Sequence, residues 1–363
     1  MPKYRDLDPT HNPEHRRIAE RLLVLRRQLD RDVPVSRSLF HNLLLATWNI
    51  REFDAPAYGA RIPEAIYYIA EIIARFDLVA VQEVRSDLTG LKRVLALLGD
   101  HWRYLITDVT EGSPGNDERM AFLYDSRKVR FGGLASEMVL PPIKTKDAQG
   151  NTVYQPVTQI ARTPFVCGFQ AGWATFMLCT VHILYGESTA NDPRRVAEID
   201  HIARFLRQRT EQKGAWSQNL ILLGDFNIFS HDDLTMARLL EAGFSIPEGI
   251  DGPQKLPASN VAQNKFYDQI MFRVRDRRFG SIGNSGAFNF FESVFRDEDE
   301  ALYIPYMGER YHLTASGKVR QNKSSYYRTY WRTHQMSDHI PLWVELRIDY
   351  SDDYLERKLS GEA

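Results

Sequence analysis

What most constrains this chain is an alternation that runs from Leu43 nearly to its end, in which short apolar β-type runs are separated by amphipathic helices and loops. The order is LLLATW, IPEAIYYIAEIIARF, LVAVQEV, LTGLKRVLALL and MAFLYD, then PFVCGF, TFMLCTVHI, DPRRVAEIDHIARFLRQ, NLILLG, DQIMFRV and LWVELRI. Runs rich in Val, Ile and Leu read as strands, and stripes with a 3.6-residue period read as helices. Some strands follow one another directly and others are split by helices, which predicts two packed sheets with helices outside. The helix after Asp192 is clearly signalled. Asp192 can cap it, Pro193 suits its first turn, and Val196, Ile199, Ala203 and Leu206 share one face.

Residues 1–40 precede this pattern as a helical extension, with an apolar stripe of Ile18, Leu22, Leu25 and Leu29 and six arginines between Arg16 and Arg31. Residues 41–350 hold no internal repeat or Pro/Gly linker and read as one domain, followed by a tail over 351–363. Within that domain, residues 297–335 stand apart because their periodicity fades. Asp297, Glu298, Asp299 and Glu300 come first, and then Arg310, Lys318, Arg320, Lys323, Arg328 and Arg332 follow without an acidic residue. Tyr311, Tyr326, Tyr327, Tyr330 and Trp331 are interleaved with them. The segment reads as a long basic-aromatic loop.

The formal net charge is −1, so affinity for a polyanion has to come from a local basic face or from bound metal. No secretory-type apolar leader and no bilayer-length apolar run occurs, so a cytoplasmic enzyme without stable membrane association is expected. Cys167 and Cys179 lie in two strand-like runs joined at Gly172, where a hairpin would not set them opposite each other. Both are expected to be reduced and buried.

The chemistry is concentrated where strands end. LLLATW stops at Asn49, LVAVQ at Glu83, MLCTV at His182, and LILLG at Asp225 and Asn227; Ser337, Asp338 and His339 precede the last strand. Neighbouring strand ends converge on one crevice. Carboxylate and amide oxygens suit Mg²⁺, and imidazoles suit proton transfer near neutral pH. Each element alone is weak, because a carboxylate after a strand is often a cap or a turn former.

Taken in order, the segments TWNIREFD (47–54), VQEVRSDL (81–88), ERMAFLYD (118–125), RTPF (162–165), TVH (180–182), GDFN (224–227), YDQI (267–270) and SDHIP (337–341) resemble the endonuclease/exonuclease/phosphatase superfamily, most closely its pancreatic-type deoxyribonuclease branch. The resemblance implies a four-layer α/β sandwich of two facing mixed sheets covered by helices. It implies Glu83 as principal metal ligand, with Asn49, Asp225, Asn227 and Asp338 completing or supporting one or two Mg²⁺ sites, Mn²⁺ or Ca²⁺ being alternatives. It also pairs His339 with Asp268 and His182 with Glu118 as acid–base groups on one phosphate. Arg51, Arg85 and Arg162 match arginines that meet backbone phosphates in the family.

Two departures stand out. Asn116 replaces a tyrosine that enters the minor groove in the deoxyribonucleases, and residues 297–335 exceed their counterpart there. Arg328, Arg332, Tyr330 and Trp331 from that insertion are expected to contact phosphates and stacked bases. A metal-dependent nuclease acting on DNA or RNA is therefore the expected function. The rivals are a phosphatase or lipid phosphodiesterase of the same superfamily acting on a small phosphoester, and a scaffold that has lost catalysis.

Overall fold

The computed structural model describes residues 2–34, 40–53, 55, 59–111, 116–247, 258–276 and 278–361. Asp54 of the first motif, and residues 35–39 and 362–363 of the two terminal extensions, lie outside them.

In chain order the elements begin with helix α1 (Pro13–Asp32), strand β1 (Asn42–Phe53), α2 (Pro63–Ile73), β2 (Leu78–Arg85), α3 (Thr89–Leu98), β3 (Trp102–Ile106) and β4 (Glu118–Asp125). Then come β5 (Arg130–Glu137), a hairpin of β6 (Ile143–Lys146) and β7 (Thr152–Gln155), β8 (Phe165–Ala171), β9 (Ala174–His182) and α4 (Pro193–Glu211). The chain closes with β10 (Leu220–Asp225), α5 (Leu234–Glu241), β11 (Asp268–Arg273), β12 (Ser281–Ala287), α6 (Glu300–Met307), β13 (Leu342–Arg347) and α7 (Ser351–Ser360). One sheet runs β12-β13-β1-β2-β4-β3 and the other β11-β10-β9-β8-β5.

Strand periodicity sorts the apolar side chains into three layers. Leu43 and Leu45 of β1, Leu78 and Ala80 of β2, and Phe122 of β4 meet Phe169, Phe176, Leu178, Ile221, Leu223 and Ile270 of the second sheet between the sheets. The alternate residues Leu44, Ala46, Trp48 and Ile50 face outward onto α1, α2 and α3. On the far side, Cys179, Val181, Leu220 and Leu222 receive Ile199, Ile202 and Leu206 of α4 and Met236 and Leu239 of α5. The result is helices, sheet, sheet, helices. Each fully buried Leu, Ile or Phe adds roughly 1.5–3 kcal/mol over leaving it in water.

Asn12 caps α1 by accepting from Glu14 N, and Asp192 caps α4 by accepting from Arg194 N. The stripe Ile18, Leu22, Leu25 and Leu29 is buried in the outer core. Cys167 and Cys179 are both buried and free, on opposite faces of the β8–β9 hairpin.

The 297–335 segment is not a loop. It folds into a 3-10 turn, α6, two short helical turns, a π-helical stretch at Tyr326–Trp331 and a last turn at Arg332–Gln335. Periodicity faded because Pro305 sits inside α6 and because the π-helix shifts the phase of everything after it, the Arg332 N–H donating to Tyr327 O. Tyr303, Met307, Tyr311, Tyr326, Tyr327 and Trp331 join the outer core.

Candidate active site

The same alternation that buries Leu43, Phe122, Phe176 and Ile221 between the sheets carries Asn49, Glu118, His182 and Asp225 onto that inner face, one or more turns of the pleat further along. β9 and β10 are parallel and in register there, His182 beside Asp225, and Asp268 lies opposite Asp225 in the antiparallel β10–β11 pair. Glu83 alone breaks the parity. Its φ is +60°, and the β2 ladder slips between Val81 and Val84, which swings the carboxylate inward.

At the bottom of the crevice Asn49 Nδ2 donates to Glu83 Oε1 at 2.9 Å and to Asp225 Oδ2 at 3.0 Å. Asp225 Oδ2 also lies 3.6 Å from His182 Nε2 and 3.8 Å from His339 Nε2. The two imidazoles thus aim the same nitrogen at one buried carboxylate. Each is held from behind by a carboxylate, His339 Nδ1 at 2.7 Å from Asp268 Oδ2 and His182 Nδ1 at 2.7 Å from Glu118 Oε2. A carboxylate only accepts, so the hydrogen bond to Asp268 puts a proton on Nδ1 of His339, the close Glu118 charge favours the same on His182, and Nε2 of each ring faces the crevice.

Burial works against charge on both imidazoles, yet Asp268 and Asp225 raise His339 well above the ordinary histidine value. Glu118 and Asp225 likewise raise His182 against its burial. Desolvation pushes the Glu118 carboxyl up, but His182 and Arg162 outweigh it and hold the group at about 2. Burial raises Asp225, opposed by the two histidines.

Glu83, Glu118 and His182 offer ligand atoms within 4.8 Å of one another. Glu118 Oε2 is already engaged by His182 and, at 2.8 Å, by Arg162 Nε, so the better hard donors are Glu83 and the Asn49 carbonyl. Asn49 Oδ1 is buried and, among the described residues, accepts no hydrogen bond. An orphaned buried oxygen beside a carboxylate fits a divalent cation.

A model of the Endonuclease/Exonuclease/phosphatase family matches residues 46–350. The chain belongs to this family. A deoxyribonuclease of Thioalkalivibrio sp. (strain K90mix) is 29% identical over 198 residues, 53% of this chain and 48% of that protein, so the chain spans about half the length of this curated relative. Humanized D. rerio TDP2 with 14 mutations shares the fold at TM-score 0.51 and 13% identity, over 84% of this chain and 98% of that one. The human Nocturnin catalytic domain does so at TM-score 0.51 and 13% identity, over 84% and 94%.

The remaining residues singled out in the family's pattern divide into two groups. Asn227 donates through Nδ2 to Ile183 O at 2.8 Å and through its own N–H to Asp225 Oδ1 at 2.9 Å, which braces the floor of the site. Asp338 sits at the rim, half exposed, 3.6 Å from Arg51 Nε. Arg51 donates to Thr333 Oγ1 at 2.6 Å and lies over the Tyr330 ring, so the insertion holds it at the mouth. Arg85 is gripped by Glu52 and Arg162 by Glu118, each in a partly buried pair. Asn116 uses its side chain on Glu118, donating to Oε1 at 2.6 Å.

Two expectations for the insertion are overturned. Trp331 is only 8% exposed and packs on Tyr303 and Phe295, so it has no free face for a base. Arg332 is buried over the Phe291 ring and donates to Phe295 O and Asp297 Oδ1. The acidic cluster explains this, because Asp297 takes Arg332 and Arg328 while Asp299 takes Arg21 and Arg296. Arg328 and Tyr330 remain partly exposed.

Sequence reading passed over Gln82 and named Ser337 without a role, yet both brace the site. Gln82 is fully buried and donates to Thr47 Oγ1 and Thr180 Oγ1, closing the polar end of the inter-sheet core. Ser337 Oγ donates to Asn49 O and accepts from the N–H groups of Arg51 and His339. Both lie inside quoted motifs, and for Gln82 a polar residue closing an apolar run was the available signal. Among the described residues, no helix is long and apolar enough to cross a membrane.

Proposed function

We propose that this protein is a divalent-metal-dependent nuclease that hydrolyses phosphodiester bonds of DNA. The observation that carries the reading is the pair of histidines with Nε2 atoms 3.6 and 3.8 Å from one Asp225 oxygen, each backed by its own carboxylate. A phosphate entering there meets two N–H donors and Arg51 at the rim. Both rings, raised above the ordinary histidine value, stay able to donate, one protonating the leaving oxygen and the other hydrogen-bonding a non-bridging oxygen as its charge develops. Asp225, flanked by both rings, is placed to accept a proton from the attacking water. Asn49 and Glu83 together would hold a divalent cation, which supplies neutralisation of phosphate charge when bound.

The deoxyribonuclease relative supports DNA as the substrate. The test is purified protein with Mg²⁺ or Mn²⁺ on end-labelled single- and double-stranded DNA, RNA and a panel of phosphomonoesters. DNA cleavage that stops in excess chelator is expected. Hydrolysis confined to phosphomonoesters would overturn the reading in favour of a phosphatase.

A further inference from the structure

Among the described residues, the β6–β7 hairpin belongs to neither large sheet and its strands pair only with each other. Its position follows from the ladder. Glu137 at the end of β5 pairs with Phe165, and Phe165 pairs with Thr180, two residues before His182. The hairpin therefore leaves the second sheet at its catalytic end, and its returning limb leads into Arg162, whose guanidinium touches Glu118 behind His182. Its base is pinned there. Met138 N–H donates to Pro164 O at 2.9 Å, and the Gln159 amide bonds both the N–H and the carbonyl of Leu140. Extended chain rises about 3.3 Å per residue, so the turn at its far end stands on the order of 20 Å beyond that base.

Register decides what the two faces carry. Lys144 pairs with Tyr154 and Lys146 with Thr152, so both lysines and the tyrosine share one face. Tyr154 is 65% exposed, and both lysines are exposed. Among the described residues neither lysine has a carboxylate partner, and Lys146 Nζ only donates to Thr152 Oγ1. The nearest acid in sequence, Asp147, spends its oxygens on the turn, accepting from Gln149 N, Asn151 N and Asn151 Nδ2. Two unpaired cations beside a bare aromatic ring, on an arm rooted at the His182 side of the site, complement a polyanion with stackable or sugar faces.

We propose that the 143–155 hairpin is an arm that grips the polynucleotide substrate beside the catalytic crevice, Lys144 and Lys146 on backbone phosphates and Tyr154 on a sugar or base. The inference rests on the nuclease reading above. It adds a second basic-aromatic contact to that offered by Arg328 and Tyr330, which remain partly exposed in the insertion.

The test compares wild type with Lys144→Ala/Lys146→Ala and with Tyr154→Ala. It measures kcat/KM on a labelled DNA duplex and a single strand from 50 to 300 mM salt, with bis(p-nitrophenyl) phosphate as a substrate too small to reach the arm. Loss of two phosphate contacts should flatten the log–log salt slope by about 1.8 on duplex and weaken kcat/KM on the order of 10- to 60-fold near 0.1 M salt. Tyr154→Ala should cost roughly 5- to 100-fold on single strands and leave the slope unchanged. Rates on the small diester should stay at the wild-type level. DNA cleavage with wild-type slope and rate in both variants would overturn the arm and leave the nuclease reading standing. Hydrolysis of the small diester but no polynucleotide by wild type would overturn both.

Discussion

Replacing Glu118 with glutamine removes a charge without removing volume, so its effects report on the His182–Glu118–Arg162 cluster rather than on a cavity. Glu118 is almost fully buried, 2.7 Å from His182 Nδ1 and 2.8 Å from Arg162 Nε. Its carboxyl is desolvated, yet the two cations hold it at about 2, below the 4.5 of a free glutamate. The charged carboxylate therefore stabilises the fold at neutral pH, and losing one partner of such a buried pair costs roughly 3–5 kcal/mol.

The sign follows from proton uptake. A depressed carboxyl stabilises the fold above its unfolded pKa and loses that contribution as pH falls toward 2. His182, with a raised pKa, stabilises below its unfolded value and loses that contribution as pH rises through the folded one. The gap between wild type and Glu118→Gln should therefore be widest in the mildly acidic range, narrowing below about pH 4.5 and on the alkaline side of the His182 titration. Urea unfolding at half-unit pH steps measures this directly. Turnover should fall by roughly 10²-fold or more, because His182 loses the group that fixes its tautomer. A variant with wild-type urea midpoints across that range, or with turnover within about threefold of wild type, would refute the reasoning.

Glu83→Gln should abolish metal-dependent hydrolysis while leaving the melting temperature nearly unchanged, since no core contact is lost; undiminished turnover, or full wild-type activity in excess chelator, would count against the ligand assignment. Trp331→Ala should destabilise by about 3–5 kcal/mol, the size expected for a large buried aromatic, without altering the salt slope of DNA hydrolysis; an intact fold with a flattened slope would restore the substrate role that burial denies it. Arg332→Ala should cost roughly 1–3 kcal/mol by leaving the Phe295 carbonyl without its donor and uncovering the Phe291 ring, read as a lowered urea midpoint.

The convergence of Asn49, His182 and Asp225 was legible because each ends a strand, and strand parity sets them on the inner face with Leu43, Phe176 and Ile221. The pairs His339–Asp268 and His182–Glu118 were expected from the family resemblance and lie at 2.7 Å. Glu83 was named from its motif, since parity alone points it outward and only the left-handed backbone at that residue turns it in. The insertion was misread for a physical reason. A π-helical stretch and an internal proline scatter apolar residues off the 3.6-residue period, so Tyr327 and Trp331 look like a polar segment's aromatics when they are core. Pairing across the segment was equally invisible, and it turned part of an apparent basic face into the Arg332–Asp297 and Arg328–Asp297 contacts. The 143–155 hairpin escaped notice because its strands are only four residues each.

The central claim is that His182 and His339 act on one phosphate above Asp225. Single-turnover cleavage of a DNA oligonucleotide by His182→Ala, His339→Ala and the double variant, with Mg²⁺ saturating, tests it most directly. Each single variant should be slower by roughly 10²-fold or more, and the double variant should be slower by clearly less than the product of the two. Near-wild-type cleavage by either single variant, or losses that multiply in full, would contradict it.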